Sequence, residues 1–150
     1  MSQSANPVTP ALPAAHFITA AIEFLRAGQP RNAVEPLRQA GLIEPSNSSI
    51  QHDLGLACLE AGLLHEAVAA LQRAAAINPH YTDAYFRLGM TFEKIGDLNA
   101  AVSSFEHATA LQPSLAEAWF RAGALFYTLG NVEAAVDRFR RAAATAAQTS

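Results

Sequence analysis

The residues with reactive side chains do not form a recognisable catalytic pattern. His65 and Glu66 begin like the helical zinc-protease motif, in which two histidines four residues apart bind the metal. Ala69 stands where the second histidine is required, and none of the five histidines has another histidine four residues away. No Gly-rich phosphate-binding loop follows a recognisable strand. We therefore predict a protein that is not an enzyme and that needs neither a metal nor a cofactor.

The charge of the chain gives it no general attraction to polyanions. The formal net charge is −3 at pH 7, and Arg138, Arg140 and Arg141 are too few for a nucleic-acid surface. We interpret these arginines as a solvated face near a helix C-terminus. No apolar run is long enough to cross a bilayer, and no signal peptide is evident. We predict neither nucleic acid nor a membrane as a partner.

The cysteine content bears on the compartment. The one cysteine, Cys58, cannot form an internal disulfide, which fits a reducing compartment. We expect a cytoplasmic protein.

Small residues recur along the chain at a fixed interval of 34 residues. Such a period indicates stacked supersecondary units rather than a single globular core. The positions in register are Gly28, Gly62, Gly96 and Gly130, then Pro45, Pro79 and Pro113, then Ala33, Ala67, Ala101 and Ala135.

The first half of each unit has the pattern of a helix. In the central copy Tyr85, Leu88 and Phe92 are three and four residues apart, which places them on one helix face. Thr82 is expected to cap this helix, and Gly96 is expected to end it.

The second half of the unit has the pattern of another helix. Asp97 is expected to cap it. Ala101, Phe105 and Ala108 mark one of its faces, and Pro113 prevents it from continuing. The sequence therefore predicts two helices in each unit, packed closely at their small residues.

The central unit resembles the tetratricopeptide repeat (TPR) family. The residues that carry the resemblance are Tyr85, Leu88, Gly89, Phe92, Ala101, Phe105, Ala108 and Pro113. It extends over residues 14–150, in repeats of about 14–47, 48–81, 82–115 and 116–149. The resemblance implies an all-α fold, a right-handed α-solenoid of antiparallel helix pairs. For function it implies protein–protein interaction.

Two parts of the chain depart from the family pattern. In repeat two Gln51 replaces the first aromatic residue and Cys58 the second, so we expect the least aromatic packing there. Residues 1–13 are rich in proline and are expected to form a flexible tail. Alternatively, residues 8–12 lie in a groove of this or a neighbouring molecule.

In this family the first helix of each pair lines the concave side of the superhelix. The resemblance therefore implies a nearly continuous apolar groove, which would bind a peptide or an amphipathic helix. Phe86, Met90, Phe120 and Tyr127 are the expected anchors, and Phe86→Glu is expected to abolish binding without unfolding the chain. The residues predicted to line the groove are Ile18, Ile22, Leu25, His52, Leu56, Leu59, Asp83, Phe86, Met90, Lys94, Phe120 and Tyr127.

Other interpretations of this face were open at the sequence level. Tighter coiling, or the N-terminal tail, would bury the same residues. The clamp by which some TPR proteins hold a chaperone carboxylate is not expected. Ile18, Ile22 and Leu56 stand where its polar residues would be, Asp83 stands where a lysine would serve, and only Arg87 fits. The small secretion chaperones of bacteria, which use an apolar groove, are a minor alternative.

The last repeat raises the question of what covers it. Solenoids need a terminal element with a polar outer face, whereas Val136, Phe139 and Ala142 offer a packing surface here. One interpretation is self-association, with a possible homo-oligomer formed through this end or the groove. The other is an N-terminal module of a larger, transferase-type enzyme.

Overall fold

The computed structural model describes residues 11–149, and these form eight α-helices with no strand among them. Residues 1–10 of the predicted tail lie outside the described residues. The helices are α1 (Ala14–Arg26), α2 (Pro30–Ile43), α3 (Ser48–Glu60), α4 (Leu64–Ile77), α5 (Thr82–Ile95), α6 (Leu98–Leu111), α7 (Ala116–Thr128) and α8 (Val132–Ala147).

The helices pack in chain order. Each odd-numbered helix packs most extensively on the helix that follows it, and each even-numbered helix then packs on the first helix of the next pair. The result is an α-solenoid of four helix pairs in which contacts are local. No helix within residues 11–149 combines the length and apolarity required to cross a membrane.

The recurring glycine ends the first helix of every pair. Gly96 has φ of 93°, a left-handed conformation that strains any residue with a Cβ atom. The amide of Asp97 then donates to the carbonyl of Phe92 over 3.0 Å, which closes the turn. The same conformation recurs at the glycines 34 residues apart, Gly28, Gly62 and Gly130.

One of the two predicted helix caps is confirmed, and the other is wrong. Asp97 caps α6 as predicted, since its Oδ1 accepts a hydrogen bond from the amide of Ala100 at 3.1 Å. The predicted cap of α5 is wrong, because Thr82 is already the first helical residue. Tyr81 occupies the capping position there without a side-chain hydrogen bond.

Small residues bring the two helices of a pair together. A Cβ atom at Gly89 would lie 2.7 Å from the ring of Phe105, and one at Gly55 would lie 2.5 Å from Leu71 Cγ. Ala101 of α6 is fully buried in the same core cluster as Phe105. The aromatic or leucine side chain of the second helix therefore occupies the space that glycine leaves.

Candidate peptide-binding face

The first helices α1, α3, α5 and α7 carry the residues that were predicted to line a groove. The structure divides these residues into three groups by exposure. Ile22, Lys94, Phe120 and Tyr127 are exposed, Ile18, Leu25, Leu56, Asp83 and Met90 are half-buried, and His52, Leu59 and Phe86 are buried. We use the term concave face for this set.

Phe86 is a core residue. Its side chain is only 7% exposed, and its ring meets the ring of Phe105 edge-on with centroids 5.5 Å apart. The guanidinium groups of Arg87 and Arg121 lie 5.9 and 5.8 Å from the ring centroid. The expectation of an exposed Phe86 anchor is therefore wrong, and Phe86→Glu would bury a carboxylate in the core.

The burial of Phe86 results from the docking of the next repeat. Ala118, Ala122 and Leu125 of α7 belong to the same core cluster as Phe86 and Phe105. Small residues on α7 allow this helix to approach closely and cover the ring. The continuous apolar groove is therefore interrupted at repeat three.

Charged side chains connect α5 to α7 across the face. Arg121 lies between Glu93 of α5 and Glu117 of its own helix, at nitrogen–oxygen distances of 3.0 and 3.1 Å. Glu93 and Glu117 are thus already paired with a cation. A ligand must compete with these pairs for hydrogen bonds.

His52 connects α3 to α5. Its Nε2 lies 2.5 Å from Oδ2 of Asp83 and its Nδ1 lies 3.6 Å from Oδ1 of Asp53, while its ring packs on Tyr81 with centroids 4.7 Å apart. Burial alone would lower the pKa of His52, but the hydrogen bonds and charges of the two aspartates outweigh it and raise the pKa to about 9. The hydrogen bond from His52 likewise lowers the pKa of Asp83. His52 is therefore a charged bridge between repeats rather than an accessible groove residue.

The accessible apolar part of the face follows the register of the repeats. Ile22, Leu56 and Met90 stand 34 residues apart on α1, α3 and α5. Ile22 is exposed, and the other two are half-buried. These three residues form an apolar row that crosses the first helices of three successive pairs.

Comparison with known proteins gives the family. A family model described as "Tetratricopeptide repeat" matches residues 86–149, and a second, described as "TPR repeat", matches residues 55–96. The chain is a tetratricopeptide repeat protein. The predicted fold, a right-handed α-solenoid of antiparallel helix pairs, is thereby confirmed.

Solved TPR structures superpose on most of the chain. A crystal structure of MamA has a TM-score of 0.87 at 24% sequence identity, covering 91% of this chain and 80% of MamA. YrrB, described as a TPR protein with an unusual peptide-binding site, has a TM-score of 0.79 at 25% identity, covering 88% of this chain and 68% of YrrB. The search of curated proteins finds no match.

The residues predicted to line the groove do not include Arg121. Its side chain pairs with Glu93 and Glu117 and so connects α5 to α7 beside the concave face. Two sequence signals point to it. It stands four residues after Glu117, a spacing that favours an ion pair on a helix, and it is in register with Arg87. Among the described residues, no group of three or more histidine, cysteine, aspartate or glutamate side chains could hold a metal ion.

Proposed function

We propose that this TPR protein is a non-catalytic interaction scaffold that binds a peptide or an amphipathic helix on its concave face. The observation that carries the proposal is the apolar row of Ile22, Leu56 and Met90, which crosses α1, α3 and α5 beside paired charges. Apolar side chains arranged in this way on an accessible surface are typical of a binding site. The likeness to YrrB, which is described as having a peptide-binding site, supports it.

The ligand has to span the first helices of three successive pairs. α3 and α5 contact each other directly, though at fewer residues than either contacts the second helix between them. The partner should therefore carry apolar residues spaced to match the first helices of successive pairs.

The affinity should come mainly from apolar contacts. Arg121 and His52 are already held by carboxylates, so an additional charge gains little from them. Exposed ion pairs contribute at most about 1 kcal/mol each. Charged residues around the row would then orient the ligand more than they strengthen its binding.

A selection from displayed random peptides tests the proposal. Peptides selected on the wild-type protein should bind Ile22→Glu at least about tenfold more weakly, because the carboxylate interrupts the apolar row. Ile43→Glu is the matched control, since Ile43 is 46% exposed at the end of the second helix α2 and lies outside the row. Equal binding by both variants, with unchanged circular dichroism, would reject the concave face as the site.

A second candidate function is self-association through the last helix pair. Phe120 is 57% exposed, whereas Phe86, its counterpart one repeat earlier, is 7% exposed beneath α7. A cleft of about 670 Å³ lies beside Phe120, between it and Phe139, Ala142 and Ala143. This cleft corresponds in register to the place where α7 packs on the preceding pair.

A second copy of the chain has complementary features at this end. Val132 and Val136 on α8 are exposed, and Glu133 and Arg140 make no ion pair within the described part of the chain. Two α8 helices packed antiparallel around Val136 would bring Glu133 of each copy near Arg140 of the other. Such an arrangement is a two-fold, isologous interface.

Light scattering on a sizing column, over a hundred-fold range of concentration, tests this candidate. The wild type should shift from monomer to dimer as the concentration rises. Val136→Glu should remain a monomer, because it puts a charge at the centre of the interface. Ile43→Glu is again the control and should dimerise normally. A wild type that is monomeric at every concentration would reject self-association.

A further inference from the structure

A second cavity lies between α2, α3 and α4, among residues that the concave face does not use. Its volume is about 400 Å³. Gln51, Leu54 and Cys58 of α3 line it together with Gly41 of α2 and Arg73 of α4. Burial raises the pKa of the Cys58 thiol to about 11, with a smaller contribution from Glu66. Cys58 is thus an uncharged wall of the cavity at neutral pH.

The sister repeats show what normally occupies this place. Tyr85 stands in register with Gln51, and its ring stacks on His107 with centroids 4.0 Å apart. Trp119 is the next residue in register, and the guanidinium of Arg141 lies 5.1 Å from its ring. In both repeats an aromatic ring therefore packs against the side chain of the following helix.

In repeat two, Arg73 stands where the later repeats have the side chain that packs on the aromatic ring. It is in register with His107 and Arg141 and is exposed at the cavity. Within residues 11–149 it forms no ion pair or cation–π contact. Because Gln51 replaces the aromatic residue, Arg73 has no ring to pack on.

Gln51 and Cys58 are smaller than their counterparts and enlarge the same cavity, whereas Gly41 makes room for the Gln51 amide, whose nitrogen would lie 2.8 Å from a Cβ atom there. Gln51 replaces the tyrosine and tryptophan of the later repeats. Cys58 stands where they have phenylalanine, and Gly41 stands where they have alanine and threonine. The corresponding clefts in those repeats have volumes of about 320 and 270 Å³. The extra space in repeat two thus has a cause in the sequence.

The side chain of Gln51, which lines the cavity, also carries a covered acceptor. Its side chain is 6% exposed, and its Oε1 has no hydrogen-bond partner among the described residues. A buried amide oxygen without a partner is destabilising, so a donor that reaches it should be favoured. The cavity therefore combines an apolar wall, an exposed cation and a buried acceptor.

We propose that this cavity binds an aromatic ring that carries an N–H or O–H donor, with indole as the best fit. The ring takes the place that Tyr85 and Trp119 fill in the sister repeats. Arg73 packs over its face, as Arg141 does over Trp119, and the Gln51 amide, whose Oε1 is covered in this structure, turns to accept its hydrogen bond. The ring is either the side chain of a partner protein or a free indole-type compound. The proposal does not depend on peptide binding at the concave face.

Titration with indole, followed by amide chemical shifts in nuclear magnetic resonance spectra, tests the proposal. Shifts should be confined to the neighbourhood of Gln51, Cys58 and Arg73, with a dissociation constant on the order of millimolar for so small a ligand. The matched probe is 1-methylindole, which lacks the N–H and should bind about tenfold more weakly. N-acetyl-tryptophan amide distinguishes the sources. If it binds as well as indole, the cavity admits a ring attached to a backbone, and if only indole binds, the ligand is a free compound.

Two variants of residues at the cavity and one control variant test whether the ring binds there. Gln51→Trp should fill the cavity and abolish indole binding, as the tryptophan of repeat four fills its own place. Arg73→Ala, at an exposed position, should fold normally and weaken binding several-fold through the lost cation–π contact. Gln72→Ala, beside the corresponding cleft of repeat three, where Tyr85 packs against His107, is the control and should bind as the wild type does. Absence of binding by the wild type, equal affinity for indole and 1-methylindole, or unchanged binding by Arg73→Ala would overturn the proposal.

Discussion

His52 and its two aspartates show how one side chain can connect neighbouring repeats. The imidazole is 7% exposed, yet it is held in its charged form between Asp53 and Asp83. A buried charge is tolerated only where it is paired and hydrogen-bonded. The sequence shows that His52 lies on the same helix face as Leu56. It cannot show that Asp83, one repeat later, reaches it, because that contact depends on the docking of α5.

The raised pKa of His52 predicts a pH-dependent contribution to stability. A histidine whose pKa rises from 6.5 to about 9 on folding stabilises the protein fully below pH 6.5 and loses this contribution as the pH rises through about 9. The contribution should be about 1–3 kcal/mol. Urea unfolding of the wild type and His52→Gln measures it as the difference between their free energies of unfolding at each pH.

That difference should be largest near pH 6 and nearly absent near pH 10. Comparing the two proteins at each pH removes the effect of tyrosine and lysine titration, which they share. A difference that stays constant between these pH values would contradict the charged bridge.

At the scale of the helix, the glycines were informative because their role is local. The close contact of Gly89 with Phe105 joins two helices of one pair, and the sequence predicted both residues at the pair interface. The left-handed Gly96 is local in the same way. Phe86 was misassigned because its burial depends on α7, which belongs to the next pair.

Phe86 and Phe120 test whether the burial of a residue on a first helix depends on the helix pair that follows. They are in register one repeat apart, but they are 7% and 57% exposed. Phe86→Ala should lower the free energy of unfolding by about 3–5 kcal/mol because it removes a core ring. Phe120→Ala should lower it by less than about 1 kcal/mol. Chemical denaturation of the two variants, at a concentration where both are monomeric, provides the comparison.

The difference between the stability losses of the two variants shows which of the two rings is covered by a following helix. If both variants lose the same stability, Phe120 is covered in solution, and the helix that covers it would have to be identified. If neither loses stability, the packing of α7 on Phe86 is wrong.

At the scale of the whole molecule, the period of the sequence predicted the solenoid but not how tightly it coils. The 34-residue repeat specified four helix pairs and the residues that share a face. Coiling then decides which of those residues remain accessible, and it buries Leu59 and Phe86 while leaving Ile22 and Tyr127 exposed. The candidate site is therefore a shorter apolar row with paired charges, rather than the continuous groove that was predicted.

The most direct test of the concave face is to map where a selected peptide binds the isotope-labelled chain by amide chemical shifts. The perturbations should centre on Ile22, Leu56 and Met90 of α1, α3 and α5. Perturbations confined to α7 and α8, or to the cavity beside Gln51, would contradict binding at the concave face and assign the peptide to another surface.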